Sequence, residues 1–347
     1  MDHEVTELSA LALHFVGNKS HEESLTLAQE LVDISDETLR KILLNFFTVH
    51  FNDYEYHNLD SGGVTLMQNP IYASVTAIFE NPDELLTHSL ELSRHLFANS
   101  THPNMKGGDF YVAHLKNVTV GDELTDAIGL YKAESVSKFL KSHREANGFS
   151  LSYGEGLYTG QLDKGCLIYN TDRELGYRLS LVDNISKGLE AKYWRDQFLS
   201  VKPAENEFFH TGQVMEVTKS FVNDQMPLEF EMEPKDRLAY LDRSIDYFKN
   251  VPHYSEEEFA DAVFNDLDVT SAFKNYREEY EARNNLDISP SFELDEHAVK
   301  KKAGKFKSII KLDKNFHIYI HGDRSKIERG TDEVGRKFYR IFYNEEM

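Results

Sequence analysis

Eight residues near the C-terminal end combine the types and spacing of a phosphate-binding surface: Lys305, Lys307, Lys311, His317, Tyr319, His321, Arg324 and Lys326. Lysine and arginine neutralise backbone phosphates and release their counterions, and a ring among them stacks on an unpaired base or packs on a sugar. Such contacts carry affinity without sequence preference. They sit in KKKAGKFKSIIKLDKNFHIYIHGDR (300–324) and the residues just after it.

Other chemistry is harder to assemble from the chain. The 15 histidines invite a metal site, but His317 and His321 lie four apart on an expected strand, roughly 13 Å at about 3.3 Å per residue. His50 and His57 match no ligand spacing. LSYGEGLYTG (151–160) reads GxGxxxG, one residue too long for a dinucleotide fingerprint, and is expected to be a loop between strands. The single cysteine, Cys166, lies in the buried-strand pattern KGCLIYN and reads as an inert core thiol. GxSxG, Walker A and HExxH are missing from the sequence, and carboxylate pairs such as Asp266 and Asp268 are inevitable among 59 acidic residues. No catalytic constellation, metal site or cofactor follows from these residues.

A hairpin is the element that must position the basic residues. With Asp313-Lys314-Asn315 as a three-residue loop, Leu312 meets Phe316, Ile310 meets Ile318 and Ser308 meets Ile320 on one face. Lys311 then meets His317, Ile309 meets Tyr319 and Lys307 meets His321 on the other. A two-residue loop would mix the faces, because side-chain direction has period two. TDEVG (331–335) turns the chain into RKFYRIFYN, where Arg336, Phe338, Arg340 and Phe342 share a side, and a small basic antiparallel sheet results.

Upstream, VTELSALALHFV (5–16) reads as strand and 35–51 as a helix capped by Ser35. A second helix is expected over 81–97, with Asn81 as cap, Pro82 at the first position and Glu84 at capping-box spacing. Runs at 107–120, 126–135, 164–170 and 176–184 read as a mainly antiparallel sheet, followed by helix at 189–201 and 210–224. MPLEFEMEP (226–234) marks a boundary; three helical pieces follow it, the second with Ser255 before Glu258, and Ser289-Pro290 closes them. The fold class is therefore α+β: a mixed N-terminal domain (1–225) with a mainly antiparallel sheet, an acidic helical segment (226–290) and a small basic β-rich C-terminal part (291–347).

Length, 347 residues, exceeds one ordinary core, and 23 Phe with 18 Tyr supply ample core material. One cysteine excludes an intrachain disulfide and fits a reducing compartment. The N-terminus lacks a signal-peptide pattern and no long apolar run occurs, so a cytoplasmic protein outside the membrane is expected. Charge is segregated. The formal net charge is −21, yet residues 300–340 hold 13 Lys and Arg against five Asp and Glu, a net of +8; residues 229–299 carry −12. Sign asymmetry of this kind speaks to partners rather than to fold.

In order along the chain, GGDFYVAHLKN, DAIGLYKAE, LDKGCLIYNTDRELGYRLSLVDN, AKYWRDQFLSV, the acidic helices and KFKSIIKLDKNFHIYIHGDRSKIE resemble the bacterial nucleoid-associated proteins of the NdpA type over nearly the whole chain. The resemblance implies association with the nucleoid, DNA as partner and no catalytic chemistry. Alternative readings of the tail stay open beside it. Lysine on an exposed strand also discourages edge pairing, and the tail has acidic helices of its own chain, or of a homo-oligomer, to dock on. In that case the acidic body engages DNA-handling proteins.

Overall fold

The computed structural model describes residues 6–51, 54–121, 123–184, 193–232, 234–306, 308–312, 316–320 and 326–345. They form two compact units, Met1–Ala204 and Glu205–Met347. The class is α+β, with an eight-stranded antiparallel sheet in the first unit.

The first unit runs β1 (Glu7–Val16), β2 (Leu25–Thr26), α1 (Glu37–Thr48), β3 (Tyr56–Leu59), α2 (Pro70–Glu80) and α3 (Leu85–Asn99), then β4 (Gly108–Val120) and β5 (Glu123–Ala133). Next come β6 (Ser137–Glu145), β7 (Gly148–Gly156), β8 (Lys164–Tyr169), β9 (Arg178–Asp183), a π-helical turn (Tyr193–Leu199) and β10 (Val201–Pro203). The sheet order is β10-β3-β9-β8-β5-β4-β1-β2. Strand alternation splits its side chains into two cores. Phe110, Val112, Ile128, Leu130, Cys166 and Ile168 join α2, α3 and the π-helical turn on one face. Tyr111, Ala113, Ala127, Tyr131, Leu167 and Tyr169 join α1 on the other. Both faces are covered, which explains the near-continuous apolar runs.

In the first unit, local structure departs from the sequence reading in four places. Asp36, not Ser35, caps α1, accepting the N–H groups of Thr38 and Leu39. Asn81 precedes a short 3-10 turn (Pro82–Glu84), and its amide donates to Glu84 at 3.2 Å instead of accepting a backbone N–H. Helix α2 went unanticipated, although Asn69 accepts from Ile71 and Tyr72 and Pro70 takes the first position. Residues 151–156, the first part of the stretch 151–160 expected as loop, belong to strand β7, paired with β6 in a separate two-stranded sheet.

The second unit opens with α4 (Glu207–Ser220), which continues through a π-helical turn (Phe221–Gln225) into a short helical turn (Met226–Glu229). Then come α5 (Pro234–Asn250), β11 (His253–Ser255), α6 (Glu256–Val263), α7 (Leu267–Asn284), β12 (Ser291–Glu293) and α8 (Glu296–Ala303). Because Val214, Met215, Phe221 and Val222 belong to this unit's core, the division falls at 204/205 rather than at 225/226. Acidic helices and basic end share that core, with Phe248, Phe259, Phe264, Phe273 and Phe306 at its centre. Ser255 precedes α6, but its hydroxyl makes no capping bond.

Candidate nucleic-acid interface

The basic end forms two hairpins. β13 (Ser308–Leu312) pairs β14 (Phe316–Ile320), and β15 (Ile327–Thr331) pairs β16 (Lys337–Ile341), each as its own two-stranded sheet rather than one sheet of four. In the first, Ser308 opposes Ile320, Ile309 opposes Tyr319, Ile310 opposes Ile318, Lys311 opposes His317 and Leu312 opposes Phe316. This is the register expected for a three-residue loop. The loop itself, Asp313-Lys314-Asn315, and the pair Lys307–His321 lie outside the described residues, as does Arg324.

Leu312 and Ile318 pack against the helical core of the second unit, as does Tyr339 of β16. The hairpin is therefore docked by that register set, and Lys311, His317 and Tyr319 occupy the alternate positions. Phe316, expected on the apolar face, remains largely exposed. Lys305 is not a free cation. Its Nζ donates to Glu216 on α4 at 3.1 Å, and Lys302 donates to the same carboxylate at 3.2 Å. Burial raises the Glu216 carboxyl pKa, but the hydrogen bonds and charges of the two lysines outweigh it and hold the group below its ordinary value. Lys326 is half-buried at the start of the second hairpin, where its carbonyl accepts the Phe342 N–H. There Phe338 lies over Gly330, and Arg340 sits 5.7 Å from the Phe338 ring and 3.5 Å from Glu328.

Two further clusters in the first unit combine titratable groups that the sequence did not single out. Lys132 on β5 and Lys164 on β8 are directly opposed and buried. Glu134 lies 3.2 Å from Lys132 and 3.4 Å from Lys164, with Asp183 3.7 Å from Lys164. Tyr193 donates to Glu134 at 2.8 Å, and its ring lies under both ammonium groups. Burial pulls the Lys132 pKa down, whereas Glu134, raised by burial but held by two lysines, ends below its usual value. The set of two ammoniums and two carboxylates is charge-balanced, as burial demands.

The second cluster has the residue types of a hydrolase triad. Ser9 Oγ lies 2.8 Å from His114 Nδ1, and His114 Nε2 lies 3.2 Å from Asp126. Asp126 accepts from Nε2–H, which leaves Nδ1 an acceptor; the single Ser9 hydroxyl proton is divided between it and the His114 carbonyl oxygen, 3.0 Å away. Burial keeps the imidazole pKa below normal despite Asp126. Ser9 occupies the bulge between Leu8 and Ala10, so the trio ties β1 to β4 and β5. Cys166 is fully buried with its thiol pKa pushed well up, the behaviour of an inert core thiol. Among the described residues no group of three or more His, Cys, Asp or Glu is placed to hold a metal ion, and no helix is long and apolar enough to cross a membrane.

No curated protein matches the chain. The family described as nucleoid-associated protein YejK matches residues 12–336, across both units and through the first C-terminal hairpin and strand β15. With that span covered, the chain belongs to the family of nucleoid-associated protein YejK, which is not an enzyme family.

Proposed function

We propose that the protein binds DNA at the nucleoid, in the cytoplasm, through largely sequence-independent phosphate contacts and without catalysis. Lys305, Lys307, Lys311, Arg324 and Lys326 neutralise phosphates, with Tyr319, His317 and His321 packing among them. One observation carries this reading. The hairpin docks on its unit by Leu312 and Ile318, the register set that alternates with Lys311, His317 and Tyr319, within a stretch of net charge +8. Family membership supports the nucleoid part of the reading.

The test is anisotropy of labelled duplex and single-stranded DNA across a salt series. Affinity is expected to fall linearly on a log–log plot. Charge reversal at Lys305, Lys307 and Lys311 together is expected to weaken binding and flatten the slope by about 0.9 for each lost phosphate contact. An unchanged slope removes the hairpin from the interface. The sharing of Glu216 by Lys302 and Lys305 favours the second reading, in which the basic end serves its own unit and the acidic body engages DNA-handling proteins. That reading predicts no retention on DNA at low salt.

A further inference from the structure

Strands β6 and β7 are an insertion between β5 and β8, neighbours in the central sheet, and they form a ribbon of their own. All nine residues of β6 are exposed. A lone two-stranded ribbon is marginal in water and needs a hydrophobic face packed on something. The root of this one is nevertheless fixed. Asp163 accepts the backbone N–H groups of Glu134 and Ser135, both at 2.7 Å, and Glu134 is locked into the buried lysine cluster.

The two faces of the ribbon differ. On one, Phe139 lies across Gly154 and Gly156, where a Cβ at Gly154 would come within 2.8 Å of the ring. Lys141 covers that ring at 5.3 Å, and His143 bonds Ser152 at 2.8 Å. On this face the side chains pack on one another, with Phe139 left half-exposed, and that packing accounts for the glycines of YGEG. The other face carries Leu140 opposite Tyr153, Ser142 opposite Leu151, and Arg144 opposite Phe149. Its four large apolar residues are 77%, 68%, 71% and 75% exposed for Leu140, Tyr153, Leu151 and Phe149. Together they leave a stripe of roughly 500 Å² of apolar surface, as large as the largest patch on a typical monomer.

We infer that this stripe packs against the same stripe of a second copy of the chain. The argument is complementarity of charge and shape. A half-turn about an axis parallel to the strands, midway between two stacked ribbons, brings β6 of one copy over β7 of the other. Every cross-strand pair is then repeated between copies at the usual spacing of about 10 Å between sheets. Lys138, already 3.6 Å from its own Glu155, meets Glu155 of the second copy. Leu140 meets Tyr153, and Leu151 meets Ser142. Arg144 meets Phe149, a cation over a ring. No like charges are opposed. Two stripes bury on the order of 1,000 Å² in total, the lower bound of a specific interface, so the dimer is a reversible one.

Sedimentation of the full chain tests this independently of DNA. The wild type is expected to dimerise at micromolar concentration, and Leu140→Asp with Leu151→Asp to raise the dissociation constant at least tenfold without moving the thermal midpoint. Lys138→Glu alone and Glu155→Lys alone each oppose like charges across the interface and weaken it. Mixing those two variants is expected to restore dimers, because each copy then offers the other's counter-charge while the pairs within each chain stay mismatched. A wild type that stays monomeric at hundreds of micromolar overturns the inference, as does a dimer indifferent to the aspartates or a mixture that stays monomeric. A monomer whose DNA affinity falls with the aspartate variant also overturns it, and assigns the ribbon to nucleic acid.

Discussion

His14 shows how a single buried group sets a pH dependence. The Ala28 N–H donates to its Nδ1 at 3.1 Å, so the proton sits on Nε2, 2.9 Å from Ser89 Oγ. Burial lowers its pKa from 6.5 to about 4. As pH falls below 6.5 the unfolded chain takes up a proton that the folded chain refuses until about pH 4. The stability it contributes is therefore complete above 6.5 and lost through that window. Melts between pH 7.5 and 4.5 should show a steeper fall for the wild type than for His14→Gln. Glu134 behaves differently. Glu134→Gln takes the carboxylate from buried Lys132 and leaves Lys164 with Asp183 alone, and the expected loss is about 3 kcal/mol, or roughly 6–12 °C in the first unit's midpoint by circular dichroism. In sequence, Lys132 and Lys164 look like strand ends; only their opposition across β5 and β8 reveals a cluster.

At the scale of elements, the C-terminal hairpin was the most legible part of the chain. Its register follows from period-two alternation around a short loop, and the pairs Lys311–His317 and Leu312–Phe316 fall as that alternation demands. Helix α8 and the residues after it tell the opposite story. Their lysines left a phosphate surface and docking within the chain both open, and in the fold Lys302 and Lys305 converge on Glu216, 86 and 89 residues earlier. If these two lysines belong to the DNA surface, Glu216 is an internal competitor for phosphate. Glu216→Gln should then tighten DNA binding and steepen the log–log salt slope by up to about 1.8, for two more phosphates. An unchanged slope would confine both lysines to holding α8 against α4. Ribbon β6–β7 was not legible: its first strand had no marker, and its glycines read as loop because the ring they accommodate is fifteen positions before Gly154.

For the whole molecule, the proposed dimer and the segregation of charge bear on the same contact. A body of strong negative charge is repelled by DNA, and screening at about 8 Å in physiological salt limits that repulsion to close approach. If two copies join through the ribbon and the basic end binds DNA, both as proposed, each assembly has two basic ends and the second contact with a long duplex is intramolecular. On the two readings combined, Leu140→Asp with Leu151→Asp should cut apparent affinity for long duplex at least tenfold. Affinity for a duplex too short to hold two ends should not change, and competition between long and short DNA would measure both.

By itself the sequence determined the α+β class, the antiparallel core strands, the hairpin register and the inert character of Cys166. Each follows from alternation or composition over a few residues, where local sterics and burial act. Only the tertiary structure decided that α4 joins the acidic helices, that Lys132, Glu134, Lys164 and Tyr193 share one buried site, and that Glu216 claims two of the tail's lysines. It also decided that Phe139 packs on the glycines of one face of β6–β7 while the other face leaves four large apolar residues exposed. Those outcomes depend on contacts between residues distant along the chain, and no local pattern encodes which distant charge or ring will fill a given space.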